Sequence, residues 1–212
     1  MDLASLSVSD YARKLASADP TPGGGSAAAA VGAFAAGLVA MVAALTANSP
    51  KFADVADRAR ELGSAASAIV KECVDCIDED VAAFDRVSDA YKLPKSTDAD
   101  KAARSGAIQS ALAQAAEPPL RVVELAQRAC SLAAELVDFG NPNAVSDIGC
   151  AAAFAQAAAK GAALNVEINV KSLKDRSAAT KLTARLHPAL AQVNVLSEVV
   201  LGKVNALLEG GE

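Results

Sequence analysis

Asp19–Ser49 reads DPTPGGGSAAAAVGAFAAGLVAMVAALTANS. Pro20 and Pro22 stiffen the approach. Gly23, Gly24 and Gly25 follow, then Ser26, and no charged residue occurs again until Lys51. Glycine takes backbone angles that a side chain forbids. A glycine-rich turn that opens a helix also leaves the first N–H groups free to meet a ligand. The run after Ser26 is almost wholly Ala, Gly, Val, Leu and Met, and small residues let other backbones come close. It reads as the central helix of an all-helical fold. As a membrane span it has the length, but its apolar weight is mostly Ala and it lacks Lys/Arg flanks and an aromatic belt. As a phosphate loop it fails, because the pattern needs Gly-Lys-Ser/Thr and Ser26 is followed by Ala27. A tight turn and buried helix without any ligand stays open on these residues alone.

The totals point the same way. In 212 residues, hydrophobic side chains make up 52% and aromatics 3%, without Trp, so Ala supplies the difference. Such a composition favours helix over sheet, and the length suits one domain spanning residues 1–212. A net charge of -5 disfavours nucleic acid. Cys73, Cys76, Cys130 and Cys150 are too few and scattered for a disulfide scaffold. Met1–Asp10 holds two acids and no base, so no secretory signal opens the chain. The expectation is a soluble cytoplasmic protein without membrane or nucleic-acid partners.

Ser7-Val8-Ser9-Asp10 has the form of a capping box before a short helix over residues 9–17. The central helix is predicted over 25–47. Ser49-Pro50 reads as an N-cap with Pro at the first helical position of a long helix to Tyr91, closed by Pro94. Further helices are predicted over 98–116, 117–138, 144–173 and 176–209, the last broken at His187-Pro188. No run alternates with period two, so no strand is placed.

Polar residues interrupt the apolar stripes. On the long helix Phe52, Val55, Ala59, Leu62, Ala66, Ile69, Cys73, Ile77, Phe84 and Val87 recur at three-and-four spacing, and the place between Ile77 and Phe84 falls to Asp80. A carboxylate on a buried face is costly unless paired or used, and burial raises its pKa towards the range of general acid/base work. A subunit edge, with water or an Arg beside Asp80, explains the pattern equally. After the Gly140-Asn141-Pro142-Asn143 turn, Ala151, Phe154, Ala158 and Ala162 form a stripe whose extensions reach Asp147, Asn165 and Asn169. These line either a ligand cleft or a polar rim, and Asn143 or Ser146 can cap the helix. Lys92, Lys95, Lys101 and Arg104 around Leu93-Pro94 form either a solvated loop or an anchor for an anion. Cys73-x-x-Cys76 lies inside a stripe without a second ligand pair, so no metal site is expected. His187, the one histidine, is expected at the surface, which leaves acid/base chemistry to carboxylates or lysines.

Together these residues resemble the cyclodeaminase/cyclohydrolase family of folate enzymes. The matching pieces are Pro20-Thr21-Pro22-Gly23-Gly24-Gly25-Ser26 with its Ala/Gly-rich helix, Asp80-Val81-Ala82-Ala83-Phe84, Leu93-Pro94-Lys95, Pro119-Leu120, Gly140-Asn141 through Ser146-Asp147, and Asn165-Val166-Glu167-Ile168-Asn169. They occur in the family's order and span residues 7–175. One departure is Ala47-Asn48-Ser49-Pro50-Lys51, where the family pattern has a lysine-rich turn. The resemblance implies an all-α bundle forming an intertwined homodimer, folate bound in a cleft, and no metal or redox cofactor beyond the tetrahydrofolate substrate. It implies either hydrolysis of 5,10-methenyltetrahydrofolate to 10-formyltetrahydrofolate, which we place first, or ring closure of 5-formiminotetrahydrofolate with loss of ammonia. A non-catalytic folate-binding or scaffold protein of the same fold is the third possibility. On this reading Asp80 is the acid/base, Asp147 and Asn141 orient pterin or water, and Pro22, Gly23, Gly24, Gly25 and Ser26 form the turn that meets the ligand. Ser146, Asn165 and Asn169 line the cleft, and Lys95 and Arg104 meet the glutamate tail.

Overall fold

The computed structural model describes residues 2–209, which form seven α-helices joined by short turns, with no strand among them. They are α1 (Val8–Leu15), α2 (Gly24–Ala47), α3 (Ala56–Lys92), α4 (Asp98–Ala115), α5 (Glu117–Leu136), α6 (Val145–Ser172) and α7 (Arg176–Glu209). Helix α2 is central, packed on α3, α5 and α6. It is long and apolar enough to cross a membrane by length and composition, yet half of it is buried inside the fold. Its buried positions are mostly Ala and Gly: Ala28, Ala29, Gly32, Ala33, Ala35, Ala36 and Ala43. Facing it, α6 buries Ala151, Ala152, Ala155, Ala158, Ala159, Ala162 and Ala163. With so little side chain between them the helices approach closely, and a Cβ added at Gly32 would lie 3.2 Å from Cys73 Sγ and 3.7 Å from Ala158 Cβ. Larger residues fill the space around this seam, among them Leu62, Ile69, Leu120, Leu125, Leu136 and Ile148.

The helix starts follow capping chemistry. Ser7 Oγ accepts the Asp10 N–H at 3.1 Å, so α1 begins at Val8, one residue earlier than the spacing predicts. Thr97 and Asp100 form a reciprocal capping box, with Asp100 N–H to Thr97 Oγ1 at 3.1 Å and Thr97 N–H to Asp100 Oδ2 at 3.0 Å. Thr97→Ala removes one half of it and is expected to cost about 1 kcal/mol, read as a lower urea midpoint at unchanged slope.

Three sequence expectations need correcting. Ser49-Pro50 does not open α3. Ser49 makes no cap bond and Phe52 leaves helical geometry (φ −119°, ψ 29°), so Pro50–Val55 is a 3-10 turn and α3 starts at Ala56. The break at His187-Pro188 does not occur, because α7 runs through Pro188. An interior proline costs about 3 kcal/mol. Leu186 and Val193 are fully buried on either side of it, and each contributes about 1.5–3 kcal/mol, so burial outweighs the lost hydrogen bond. Phe154 is exposed, since the face that α6 buries is the neighbouring all-Ala one. His187 is exposed, as expected.

Candidate active site

The N-terminus of α2 meets the middle of α3. Asp80 Oδ2 accepts the Ser26 N–H at 2.9 Å. This is one of the first helical N–H groups, which have no partner within their own helix, and the positive end of the helix favours a carboxylate there. Ala27 N–H turns back to the Gly23 carbonyl at 3.0 Å. The N–H groups of Gly24 and Gly25 make no bond among the described residues. None of the described glycines has a positive φ, so left-handed geometry does not explain the three glycines, contrary to the sequence reading. Close approach explains two of them. A Cβ at Gly25 would stand 2.6 Å from Asp80 Cγ, and one at Gly24 would stand 3.2 Å from Asn165 Nδ2. The Thr21–Pro22 peptide is cis, and Pro22 is buried.

A cleft of about 300 Å³ opens here, lined by Thr21, Gly23, Gly24, Asp80, Asn165 and Asn169, with Phe84, Val87 and Ile168 as its apolar walls. Burial among apolar groups pushes the Asp80 carboxyl above its ordinary value, and the Ser26 N–H partly offsets this. Asn165 Nδ2 donates to the Gly161 carbonyl at 2.9 Å. Asn169 Nδ2 donates to the carbonyls of Asn165 at 2.8 Å and Ala115 at 3.3 Å. Their side-chain oxygens have no donor among the described residues, so each can accept an N–H from a ligand. The site therefore combines a half-buried carboxyl, two free helix N–H groups, two amide acceptors and an apolar wall.

Other residues fall elsewhere. Ser26 contributes its backbone only, because its side chain is fully buried and its Oγ pairs with the Tyr11 hydroxyl at 2.8 Å. Tyr11 escapes sequence reasoning, since nothing in an eight-residue polar helix marks it out. Burial raises its phenol pKa, with Asp80 adding to the effect. Thr21, Phe84 and Ile168 are not marked as site residues by the sequence pattern either, although all three lie inside the family-like pieces. Lys95 and Arg104 line a second depression of about 320 Å³ with Tyr91, Lys101, Gln109 and Lys174. Asp80, Phe84, Val87 and Tyr91 share one face of α3, which places this basic depression about 16 Å along the helix from Asp80. Arg104 lies over the Tyr91 ring, 5.4 Å from its centroid, and donates to the Tyr91 carbonyl. Lys101 pairs with Asp98 at 2.9 Å, whereas Lys95 has no acid partner among the described residues.

Asn141, Ser146 and Asp147 sit at the opposite end of α2. The Asn141 N–H donates to Thr46 Oγ1 at 2.9 Å, and the helix between Ser26 and Thr46 is about 30 Å long. Asn141 Oδ1 accepts the Asn143 N–H, which closes the turn. Asp147, half-buried in the first turn of α6, has no partner side chain among the described residues.

Cys73, Cys76 and Cys130 are buried and unpaired. Burial pushes the thiols of Cys73 and Cys130 up to about 12, so neither is a nucleophile. No three His, Cys, Asp or Glu converge among the described residues. A depression of about 410 Å³ behind α3 holds Arg121 beside Glu79 and Arg185 beside Glu117 and Glu124, so its charges largely satisfy one another.

Known proteins align with this arrangement along nearly the whole chain. A methenyltetrahydrofolate cyclohydrolase of Methylorubrum extorquens is 40% identical over 195 residues, 90% of this chain and 94% of its own. The formimidoyltransferase-cyclodeaminase of Mus musculus is 31% identical over 207 residues, 98% of this chain but 38% of that longer protein. The crystal structure of a formiminotetrahydrofolate cyclodeaminase from Thermotoga maritima superposes with a TM-score of 0.87 at 28% identity, covering 96% of this chain and 98% of that one. Residues 7–188 match the formiminotransferase-cyclodeaminase family, and the chain belongs to it.

Proposed function

We propose that this protein hydrolyses 5,10-methenyltetrahydrofolate to 10-formyltetrahydrofolate in the cytoplasm, as a homodimer, with Asp80 as the acid/base. The observation that carries the reading is Asp80 itself, a carboxyl of raised pKa held at a helix N-terminus inside an apolar-walled cleft. The 40% identity to a cyclohydrolase over most of both chains supports the choice of substrate.

Asp80 as carboxylate takes a proton from water, whose oxygen bonds to the methenyl carbon between N5 and N10. The protonated carboxyl returns the proton to N5 as the carbon–N5 bond breaks. The carbinol loses its hydroxyl proton to solvent, leaving the formyl group on N10. A carboxyl whose pKa burial raises serves both steps, because it is a stronger base as carboxylate than an exposed one and can return the proton it has taken. The unpaired Gly24 and Gly25 N–H groups stabilise oxygen-centred negative charge as it develops, and Asn165 and Asn169 accept from pterin N–H groups.

The test follows loss of the near-ultraviolet methenyl absorbance against uncatalysed hydrolysis. Acceleration by the enzyme is expected. A second reading, cyclodeaminase, is favoured by the name of the Thermotoga protein and is chosen if 5-formiminotetrahydrofolate releases ammonia faster. Tight folate binding without turnover of either substrate returns the protein to the non-catalytic class.

The basic depression supplies a further expectation. Lys95→Ala removes a cation that has no acid partner among the described residues, about 16 Å from the chemistry by helix rise. It is expected to raise KM several-fold for substrates with added glutamates, with kcat unchanged, because it removes binding equal in ground and transition states. Steady-state kinetics with mono- and polyglutamate substrates check it.

A further inference from the structure

We propose that Tyr11 is a positioning residue for Asp80. By occupying the buried hydroxyl of Ser26 it keeps the first turn of α2 regular, and with it the N–H that Asp80 accepts. Its bearing on turnover rests on the folate reading, whereas its hold on Asp80 does not.

The chain of contacts is short. Tyr11 Oη and Ser26 Oγ share a hydrogen bond of 2.8 Å, and the Ser26 N–H donates to Asp80 Oδ2 at 2.9 Å. One residue of α2 therefore meets α1 with its side chain and α3 with its backbone. Ser26 is fully buried, and Tyr11 is the one partner of its hydroxyl among the described residues. A serine hydroxyl left without a partner in a helix turns back on a carbonyl three or four residues earlier and bends the turn. Three residues before Ser26 is Gly23, whose carbonyl already accepts the Ala27 N–H at 3.0 Å in the opening bond of α2. Without Tyr11, the Ser26 hydroxyl competes for that carbonyl, and the N–H on Asp80 moves with the turn.

Holding α1 in place does not require the Tyr11 hydroxyl. Helix α1 buries none of its eight residues. The segment before it is fixed by Leu3, which is buried and whose N–H donates to Asp78 Oδ1 at 2.8 Å. The Tyr11 side chain also packs on the core. The remaining side-chain bonds of α1 stay local, joining Asp10 to Ser7 and Arg13, and Lys14 to Asp19. Among the described residues, the bond to Ser26 is thus the one side-chain hydrogen bond from α1 to another helix.

No charged group competes for Asp80. It forms no ion pair among the described residues, and α2 carries no charge. On α3, Asp78 accepts the Leu3 N–H, and Glu79 pairs with Arg121 of α5. Helix α6 presents Asn165 and Asn169, and α4 presents Ala115. Helix α1 presents the Tyr11 phenol, whose pKa burial raises, with Asp80 and Asp78 adding to the effect, so it keeps its proton at neutral pH. The Ser26 N–H alone favours the charged form of Asp80 against burial. Weakening that bond moves the Asp80 carboxyl further up.

Tyr11→Phe keeps the ring and removes the hydroxyl. Methenyl hydrolysis is followed against pH, above the uncatalysed rate. Asp80 works as a carboxylate, so activity falls as pH drops through its pKa. In Tyr11→Phe this acid limb is expected about one pH unit higher, the scale of one hydrogen bond to a charged group. Activity on the limb then falls about tenfold, and the plateau at higher pH is nearly unchanged. Adding Ser26→Ala removes the stranded hydroxyl and is expected to return the limb towards its wild-type place, since replacing both partners leaves no polar group unsatisfied. An unmoved limb in Tyr11→Phe, or a loss equal at every pH, overturns the proposal. So does a double variant whose limb stays where Tyr11→Phe left it or moves further.

Leu3→Ala loosens the same segment without touching either hydroxyl. It is expected to lower the melting temperature and leave the limb in place. A limb displaced as far as in Tyr11→Phe would make the effect one of anchoring and overturn the proposal. The Asp80 carboxyl is also followed without substrate, by NMR titration of its carboxyl carbon, with the signal assigned by its loss in Asp80→Asn. It should titrate about one pH unit higher in Tyr11→Phe, and an unmoved titration overturns the proposal. If the wild type turns over neither folate, the folate reading falls, and the same titration still decides whether Tyr11 acts on Asp80.

Discussion

Asp80→Asn is expected to lower kcat about 10²- to 10⁴-fold, the usual contribution of a positioned acid/base, with KM little changed. Asparagine keeps the shape and can still accept the Ser26 N–H, so the fold has no reason to fail. Stability should move the other way. Burial holds the Asp80 pKa above its ordinary value, so the folded state binds this proton more tightly than the unfolded chain does. The stability that this proton contributes is fully present below the unfolded value of about 3.8 and is lost as pH rises through the higher folded value. The amide of the Asp80→Asn variant does not titrate and carries no such loss. The melting temperature of the variant should therefore equal or exceed that of the wild type at pH 7, and the gap should shrink as the pH is lowered towards about 4. A variant that loses activity and stability together at pH 7 would make Asp80 a structural residue.

Gly25→Ala is expected to cost both stability and activity. Its Cβ would stand 2.6 Å from Asp80 Cγ, so either the carboxyl swings out of the cleft or α2 shifts. Overpacking of this kind costs about 1–3 kcal/mol, and loss of the Asp80 position should remove most of the activity as well. The control is the pair with Asp80→Ala. If the clash is the cause, Gly25→Ala added to Asp80→Ala costs much less than it does alone, and the coupling lies within the range of about 0.5–3 kcal/mol found for residues in contact. Additive losses in urea melts would place the damage elsewhere.

The helical class and most helix ends are legible in the chain because they depend on local chemistry: Ala content, the caps at Ser7 and Thr97, and the prolines Pro94 and Pro118. The two misread joints, at Pro50 and Pro188, are places where distant packing decides the local geometry. Asp80 is legible because a carboxylate interrupts an apolar stripe, and that signal survives without knowledge of the partner helix. What Asp80 meets is not legible. The pairing of Asp80 with Gly25 and Ser26, and of Tyr11 with Ser26, joins residues distant in sequence through helix crossings. The Asn141–Asp147 segment shows the same limit. Its residues read as site residues, but their place at the far end of α2 depends on the direction in which α6 runs against it.

The alanine seam between α2 and α6 changes which mutations the protein can bear. In a core of leucines the costly change is truncation, which leaves a void. Here Ala29, Ala35, Ala36, Ala152 and Ala159 are fully buried and have almost nothing to lose, so the costly change is growth. Each added carbon must push two backbones apart, and a helix is too stiff to yield at one residue alone. Drift along this seam is thus confined to the smallest residues, and the composition that hides the fold from a hydropathy plot is the one the fold cannot change.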